Sequence, residues 1–140
     1  MLPEIEISVL FEATVSPSED YEKVLSAVMN FVGEASCEVK ADSRGVIVRS
    51  SSIKSLERIH DQLRDRRVRG AARKRLLANR DSQGSTLMFN RQAASAGVLA
   101  LCDNEQESPL GPIYLTILTE NLEEVIDWLS DFQSDSPLSS

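Results

Sequence analysis

The stretch "EIEISVLFEATV", residues 4 to 15, alternates between apolar and polar side chains. Ile5, Ile7, Val9, Phe11, Ala13 and Val15 fall on one face, with Glu4, Glu6, Ser8, Glu12 and Thr14 on the other. Successive side chains of an extended chain point to opposite sides, so this pattern demands a strand with one buried face. Such a face needs a second layer to cover it. The residues that follow can supply one. In "SPSE", Ser16 is placed to cap a helix, Pro17 to occupy its first position and Glu19 to complete a capping box. Tyr21, Val24, Leu25, Val28, Phe31 and Val32 then recur at helical spacing, and Gly33 supplies a stop.

The remaining chain repeats this pairing of strands and amphipathic helices. "CEVKADSRGVIVRS" reads as a hairpin with its turn at Asp42 to Gly45. Ser51 or Ser52 caps a second helix with a stripe of Ile53, Leu56, Ile59 and Leu63. Strands are expected at "GSTLMFN", "VLALC" and "IYLTIL", with a short turn of helix at "NRQAASAG" between the first two. A last helix, capped by Asn121 with Glu124, carries Leu122, Val125, Ile126, Leu129 and Phe132 on one face. The order is β-α-β-β-α(α)-β-β-β-α. Its first six elements match the split βαβ arrangement. The expectation is one α+β domain over residues 1–133, a mixed sheet with helices on one face, followed by a disordered tail at 134–140. A ferredoxin-like core with a C-terminal extension is the alternative.

Composition narrows the function. No apolar run approaches the roughly 20 residues that span a bilayer, and no basic segment opens the chain. The expectation is a soluble cytoplasmic protein with no membrane partner. Cys37 and Cys102 have no metal-ligand or redox spacing and read as small buried strand residues. His60 is the only histidine, and a lone helical histidine is ordinarily a boundary residue. No nucleophile elbow, Walker loop or dinucleotide fingerprint occurs. The Glu105–Glu107 and Glu123–Glu124 pairs have the charge to meet a divalent ion, but they fall in a loop and at a helix start, where solvation explains them equally well. A non-enzymatic protein follows, with no catalytic residue, metal, cofactor or small-molecule substrate. Aromatic residues make up 5% of the chain, too few for a base-stacking sheet, for which only Phe89 and Tyr114 offer strand rings.

Against that background, "RDRRVRGAARKRLLANR", residues 64 to 80, stands out. It carries eight cations and one acid, Asp65, for a net +7. The whole chain is at −7, so the other 123 residues sum to −14. On a continuous helix at roughly 100° per residue, Arg66, Arg67, Arg69, Arg73, Lys74 and Arg80 share one arc. Val68, Ala72 and Leu76 face the core, and Gly70 permits a kink or a break between two helices. Guanidinium forks bind phosphate oxygens in pairs, so the pattern points to a nucleic-acid backbone. The other reading is a basic face that pairs with acids, on this protein or on a second subunit. The excess of 22 acids over 15 cations, 11 of them Arg, also suits a cytoplasm rich in salt.

"RRVRGAARKRLL", followed by "FNRQAASAGVLALCDNEQESPLGPIYLTI", resembles archaeal uncharacterised protein family 0201. The shared positions are Ala71, Ala72 and Arg73; Asn90, Arg91, Gln92, Ala93 and Ala94; and Ser108, Pro109, Leu110, Gly111 and Pro112. The resemblance implies a ribosomal protein L-five-like fold and an RNA-binding role. Candidate contacts are therefore Arg66, Arg67, Arg69, Arg73, Lys74, Arg80, Arg91 and Gln92, the last two at a helix N-terminus where phosphate binds well. RNA is the expected partner, with a homodimer as the alternative. "SPLGP" reads as a turn preset by two prolines and a glycine.

Overall fold

The computed structural model describes residues 4–131, and the tail expected at 134–140 lies outside the described residues. The alternating segment forms β1 (Ser8–Thr14), the middle strand of a five-stranded sheet. Its partners are β2 (Cys37–Ala41), β3 (Gly45–Ser50), β4 (Gly84–Phe89) and β5 (Ile113–Leu118), in the order β2-β3-β1-β5-β4. Val9, Phe11 and Ala13 are buried, as the alternation requires, beside Val46 and Val48 of β3 and Leu115 and Ile117 of β5.

Every pairing is antiparallel, so the expected mixed sheet is corrected. β1 and β2 do run in the same direction, joined by a helix, but β3 lies between them. The parallel relation of the split βαβ unit is thus present without parallel hydrogen bonding. The strand expected at "VLALC" is also corrected. Leu101 makes a single bridge to Phe89, flanked by Asn90 N–H on Ala100 O at 2.8 Å and Cys102 N–H on Met88 O at 3.0 Å. The chain then turns away, held by Asp103 N–H on the Glu107 carboxylate, so no ladder develops. Cys102 is buried in this turn, outside any strand, and burial pushes its thiol up; Cys37 is half-buried on β2.

The helices α1 (Tyr21–Met29), α2 (Glu57–Asp65), α3 (Arg69–Ala78), α4 (Arg91–Ser95) and α5 (Leu122–Leu129) complete the chain. Ile53 to Leu56 form a short 3-10 turn ahead of α2, capped by Ser52. Most of each expected stripe is buried: Val24, Val28, Phe31 and Val32 on and just after α1, Ile53, Leu56, Ile59 and Leu63 along the 3-10 turn and α2, and Val125, Ile126 and Leu129 on α5. Leu25 and Leu122 are half-buried, Tyr21 is exposed, and Ala27, outside the expected stripe, is buried in its place. Phe132, expected on the last stripe, lies outside the described residues.

Two boundaries differ from the sequence reading. α1 is capped by Asp20, whose carboxylate accepts from Glu22 N–H at 3.0 Å. Ser16 to Glu19 instead close a separate turn, Ser16 N–H donating to Glu19 Oε1 at 2.9 Å. At the other end, α1 stops at Met29, ahead of Gly33. Gly33 serves a close approach: a Cβ there would collide with the Lys54 carbonyl, and its N–H donates to Ser55 O at 2.9 Å.

The reason for the displaced cap is Arg91. Its side chain is 4% exposed and reaches across the fold to Glu19 at 2.8 Å. Nη1 also donates to Thr14 O at 2.7 Å, and Nε to Gly111 O at 3.0 Å. The Arg91 backbone N–H donates to Ser108 Oγ at 3.0 Å, and that hydroxyl donates onward to Gly111 O at 3.1 Å. One guanidinium thus ties the end of β1, the Ser16–Glu19 turn, α4 and the "SPLGP" turn together. Leu110 and Gly111, at φ 69° and 92°, aim the Gly111 carbonyl back at it.

Removing a partner from a buried ion pair leaves an uncompensated charge, at a cost of about 3–5 kcal/mol. Arg91→Ala is expected to lose about that much stability in urea unfolding. Burial pushes the Glu19 carboxyl up, but the Ser16 amide and Arg91 outweigh it and hold it below its ordinary 4.5. A carboxylate lowered by folding stabilises the protein above its unfolded value and loses this as pH falls through the folded one. The stability gap between wild type and Glu19→Gln should therefore be full at neutral pH and shrink below pH 4.5. A gap constant across that window would contradict the pairing.

Candidate nucleic-acid interface

The basic stretch is broken into two helices joined by a turn, and the break falls ahead of Gly70. Arg66 caps α2 at its C-terminal end, and Arg67 adopts a left-handed φ of 57°. Its N–H donates to Arg64 O at 3.1 Å, and Val68 N–H donates to Leu63 O at 3.0 Å. These two bonds define the Schellman motif, in which the left-handed position is ordinarily glycine. α4 ends in the same way, with Gly97 at φ 76°, its N–H on Ala94 O and Val98 N–H on Ala93 O. In α2 an arginine does glycine's job. A side chain in this conformation costs about 1–2 kcal/mol, and such strain concentrates at functional positions. Gly70, expected to mark the break, lies within the first turn of α3 with nothing within 4 Å of a Cβ built there.

α3 buries Ala72 and Leu76 against the sheet layer, and Val68 packs on the same core. On the opposite side Gly70, Ala71, Lys74 and Ala78 are all exposed. Arg69 and Arg73 sit between these faces and lean onto α5. Arg69 Nη1 donates to Asp131 Oδ2 at 2.8 Å, and Arg73 Nη1 to Asp127 Oδ1 at 2.7 Å and Ser130 Oγ at 3.3 Å. The two cations are four residues apart and so are the two acids, so the helices meet as opposed charge ladders. Asp131 also contacts His60 Nε2 at 3.0 Å, and the His60 ring stacks on Trp128 at 4.6 Å. Burial alone would raise the Asp131 carboxyl; His60 and Arg69 overcome it and hold the group below its usual range.

The eight candidate residues therefore divide. Arg66, Arg67 and Lys74 are exposed and make no ion pair among the described residues. Arg80 is exposed and unpaired in the same sense, but it lies past the end of α3, at a cleft shared with Glu120 and Glu123. Arg69 and Arg73 are paired with α5, and Arg91 is buried in its clamp. Gln92 is exposed on α4, which packs on α1 rather than on α3. Arg75 turns the other way, Nε donating to Asp103 Oδ1 at 2.7 Å. The sequence reading missed Asp127 and Asp131 as the partners that fix α3. Their signal was available in the four-residue spacing of the two aspartates, matched to that of Arg69 and Arg73.

The two candidate sheet rings form no exposed platform: Phe89 is 0% exposed, its ring tilted at 53° to that of Phe31 with centroids 5.5 Å apart. Tyr114 is half-buried, and burial with a hydrogen bond to Glu105 pushes its hydroxyl up to about 12. Among the described residues no group of three or more His, Cys, Asp or Glu is arranged to hold a metal ion.

A single five-stranded antiparallel sheet with five helices among the described residues makes this an α+β protein. A family model described as RNA binding matches residues 8–119. A UPF0201 protein of Metallosphaera sedula is 39% identical over 123 residues, 87% of this chain and 86% of its own. One from Sulfurisphaera tokodaii is 41% identical over 124 residues, with the same coverage of 87% and 86%. The crystal structure of an uncharacterized UPF0201 protein superposes with a TM-score of 0.73 at 26% identity, covering 92% of this chain and 97% of that one. The chain belongs to the UPF0201 family. The Methanococcus jannaschii UPF0201 structure, at 23% identity and a TM-score of 0.73 over 91% and 96% of the two chains, shares the fold.

Glycine at position 67 would relieve the left-handed strain while loosening the unfolded chain. Arg67→Gly is accordingly expected to keep or raise stability, by up to about 1 kcal/mol. Thermal unfolding checks this; a loss of more than that would mean the Arg67 side chain is held by contacts of its own.

Proposed function

We propose that this protein binds RNA without catalysing a reaction, and that Arg66, Arg67 and Lys74 carry the phosphate contacts. The observation that supports this reading most is the division of cations just described. In a chain with a net charge of −7, Arg66 and Arg67 on the turn and Lys74 on the outer face of α3 have no carboxylate of their own among the described residues. Arginine forks pair with phosphate oxygens through two parallel hydrogen bonds. The small side chains of Gly70, Ala71 and Ala78 leave the outer face of α3 low, so a sugar-phosphate strand can approach the cations from above. The family's description as RNA binding agrees with this chemistry.

Arg69 and Arg73 act in this reading as positioning residues, holding α3 on α5 so that the turn points outward. Arg91 belongs to the fold, and Arg80 stands at the far end of α3, on a cleft that Glu120 and Glu123 also line. The absence of catalysis rests on the state of His60, which is taken up between Trp128, Asp61 and Asp131. The rival reading, a basic face docked on an acidic protein, has less to use, because α5 already supplies acids to two of the arginines.

A fluorescent RNA hairpin titrated over a salt series tests the proposal. Each phosphate neutralised adds about 0.7–0.9 to the magnitude of the log–log salt slope. The triple variant Arg66→Ala/Arg67→Gly/Lys74→Ala should lose about 2 from that slope and bind at least about tenfold more weakly at low salt. Lys23→Ala/Lys54→Ala, which removes exposed cations elsewhere, should bind like wild type. Equal loss in both variants, or an unchanged slope in the triple variant, would remove the α2–α3 turn from any RNA interface.

A further inference from the structure

The two edges of the sheet are finished differently. Along β4, Asn79 Nδ2 donates to Thr86 O at 2.8 Å, Cys102 N–H to Met88 O at 3.0 Å, and Leu101 bridges to Phe89. That edge is closed to another strand. Along β2, the hairpin bond from Asp42 N–H to Gly45 O at 3.0 Å sets the phase of the ladder. Antiparallel ladders alternate hydrogen-bonded and non-bonded pairs. Lys40 with Ile47, and Glu38 with Arg49, are then the bonded pairs within the sheet. The backbone groups of Cys37, Val39 and Ala41 point away from it. Among the described residues nothing accepts or donates to them, and Val39 is 48% exposed.

We infer that β2 pairs antiparallel with β2 of a second copy, about a twofold axis at Val39. This is a surface apart from the α2–α3 turn and does not depend on RNA binding. The sequence of the strand, Cys37-Glu38-Val39-Lys40-Ala41, is complementary to itself in that register. Val39 meets its symmetry mate as a hydrogen-bonded pair, and Cys37 faces Ala41 in the same way on either side. The outward amides and carbonyls of one strand thus meet those of the other. Glu38 faces Lys40 of the second copy, and Lys40 faces its Glu38, at the non-bonded positions where side chains come closest. Neither Glu38 nor Lys40 has an ion pair within the chain among the described residues. A register centred on Glu38 or on Lys40 would instead set like charges against each other and point backbone donors away. A short strand places this interface at the small end of known sizes, so a reversible dimer is expected.

Sedimentation velocity of the full chain over a concentration series reads the association. Wild type should shift from monomer to dimer as concentration rises. Val39→Pro removes one outward N–H and no bond to β3, so it should fold and remain monomeric. Lys40→Glu, which creates two like-charge contacts, should weaken the dimer at least about tenfold. The swap Glu38→Lys/Lys40→Glu restores both opposite-charge contacts and should restore the dimer. Wild type that stays monomeric throughout, or a dimer unmoved by Val39→Pro and Lys40→Glu, overturns the inference; if Val39→Pro fails to fold, the charge swap still decides.

Discussion

The guanidinium of Arg91 is the constraint on which the arrangement of the chain rests. The excursion between β4 and β5 runs from Asn90 to Pro112, with only the five-residue α4 and a 3-10 turn as regular structure. Ala94 and Leu99 seat its first half in the core, but its turn from Asp103 to Gly111 is largely exposed. Arg91 supplies the fixing by charge and direction together: one planar group binds Glu19, Thr14 and Gly111, groups that come from three places in the sequence. A lysine could satisfy the charge but not the fork geometry. The "NRQAA" and "SPLGP" motifs occur together because they are the two sides of this one clamp.

The same rule, that a nearby carboxylate decides what an arginine does, extends to the basic stretch. Asp127 and Asp131 claim Arg73 and Arg69 and thereby orient α3. Asp131 takes a left-handed φ of 49° at the end of α5. A carboxylate there opposes the helix dipole, and His60 and Arg69 offset that opposition. With α3 held in this way, Arg66 and Arg67 are carried on a turn whose geometry is locked by backbone hydrogen bonds. Their guanidinium groups spend nothing on the fold and face solvent. An acidic protein can present a local cationic surface by this means without an overall positive charge, because the field near a surface is set by the charges within about a Debye length, roughly 8–10 Å at ordinary ionic strength.

Local periodicity made most of the fold legible. The alternation from Glu4 to Val15, and the stripes of α1, α2 and α5, rest on contacts with neighbouring turns and a single buried face. What could not be read depends on residues far apart in the chain. Ser16 and Glu19 have the spacing of a capping box, but Arg91, 72 residues on from Glu19, recruits that carboxylate, and Asp20 takes over the cap. Gly70 is the natural break on propensity, yet the chain breaks at Arg67, because Val68 and Leu63 must both reach the core there. "VLALC" has the composition of a strand but is flanked by the α4 cap and the Asp103 turn, which leave room for one bridge. The cations were legible as a cluster. Their division into held and free groups was not, since it is made by α5, 54 to 62 residues downstream.

The division itself is open to direct observation through the arginine side-chain Nε–Hε resonances of the isotopically labelled full chain. The account predicts that adding a short RNA hairpin shifts or broadens the signals of Arg66 and Arg67, while those of Arg69, Arg73 and Arg91 stay in place. Movement of the Arg91 or Arg73 signals with Arg66 and Arg67 unmoved would contradict it.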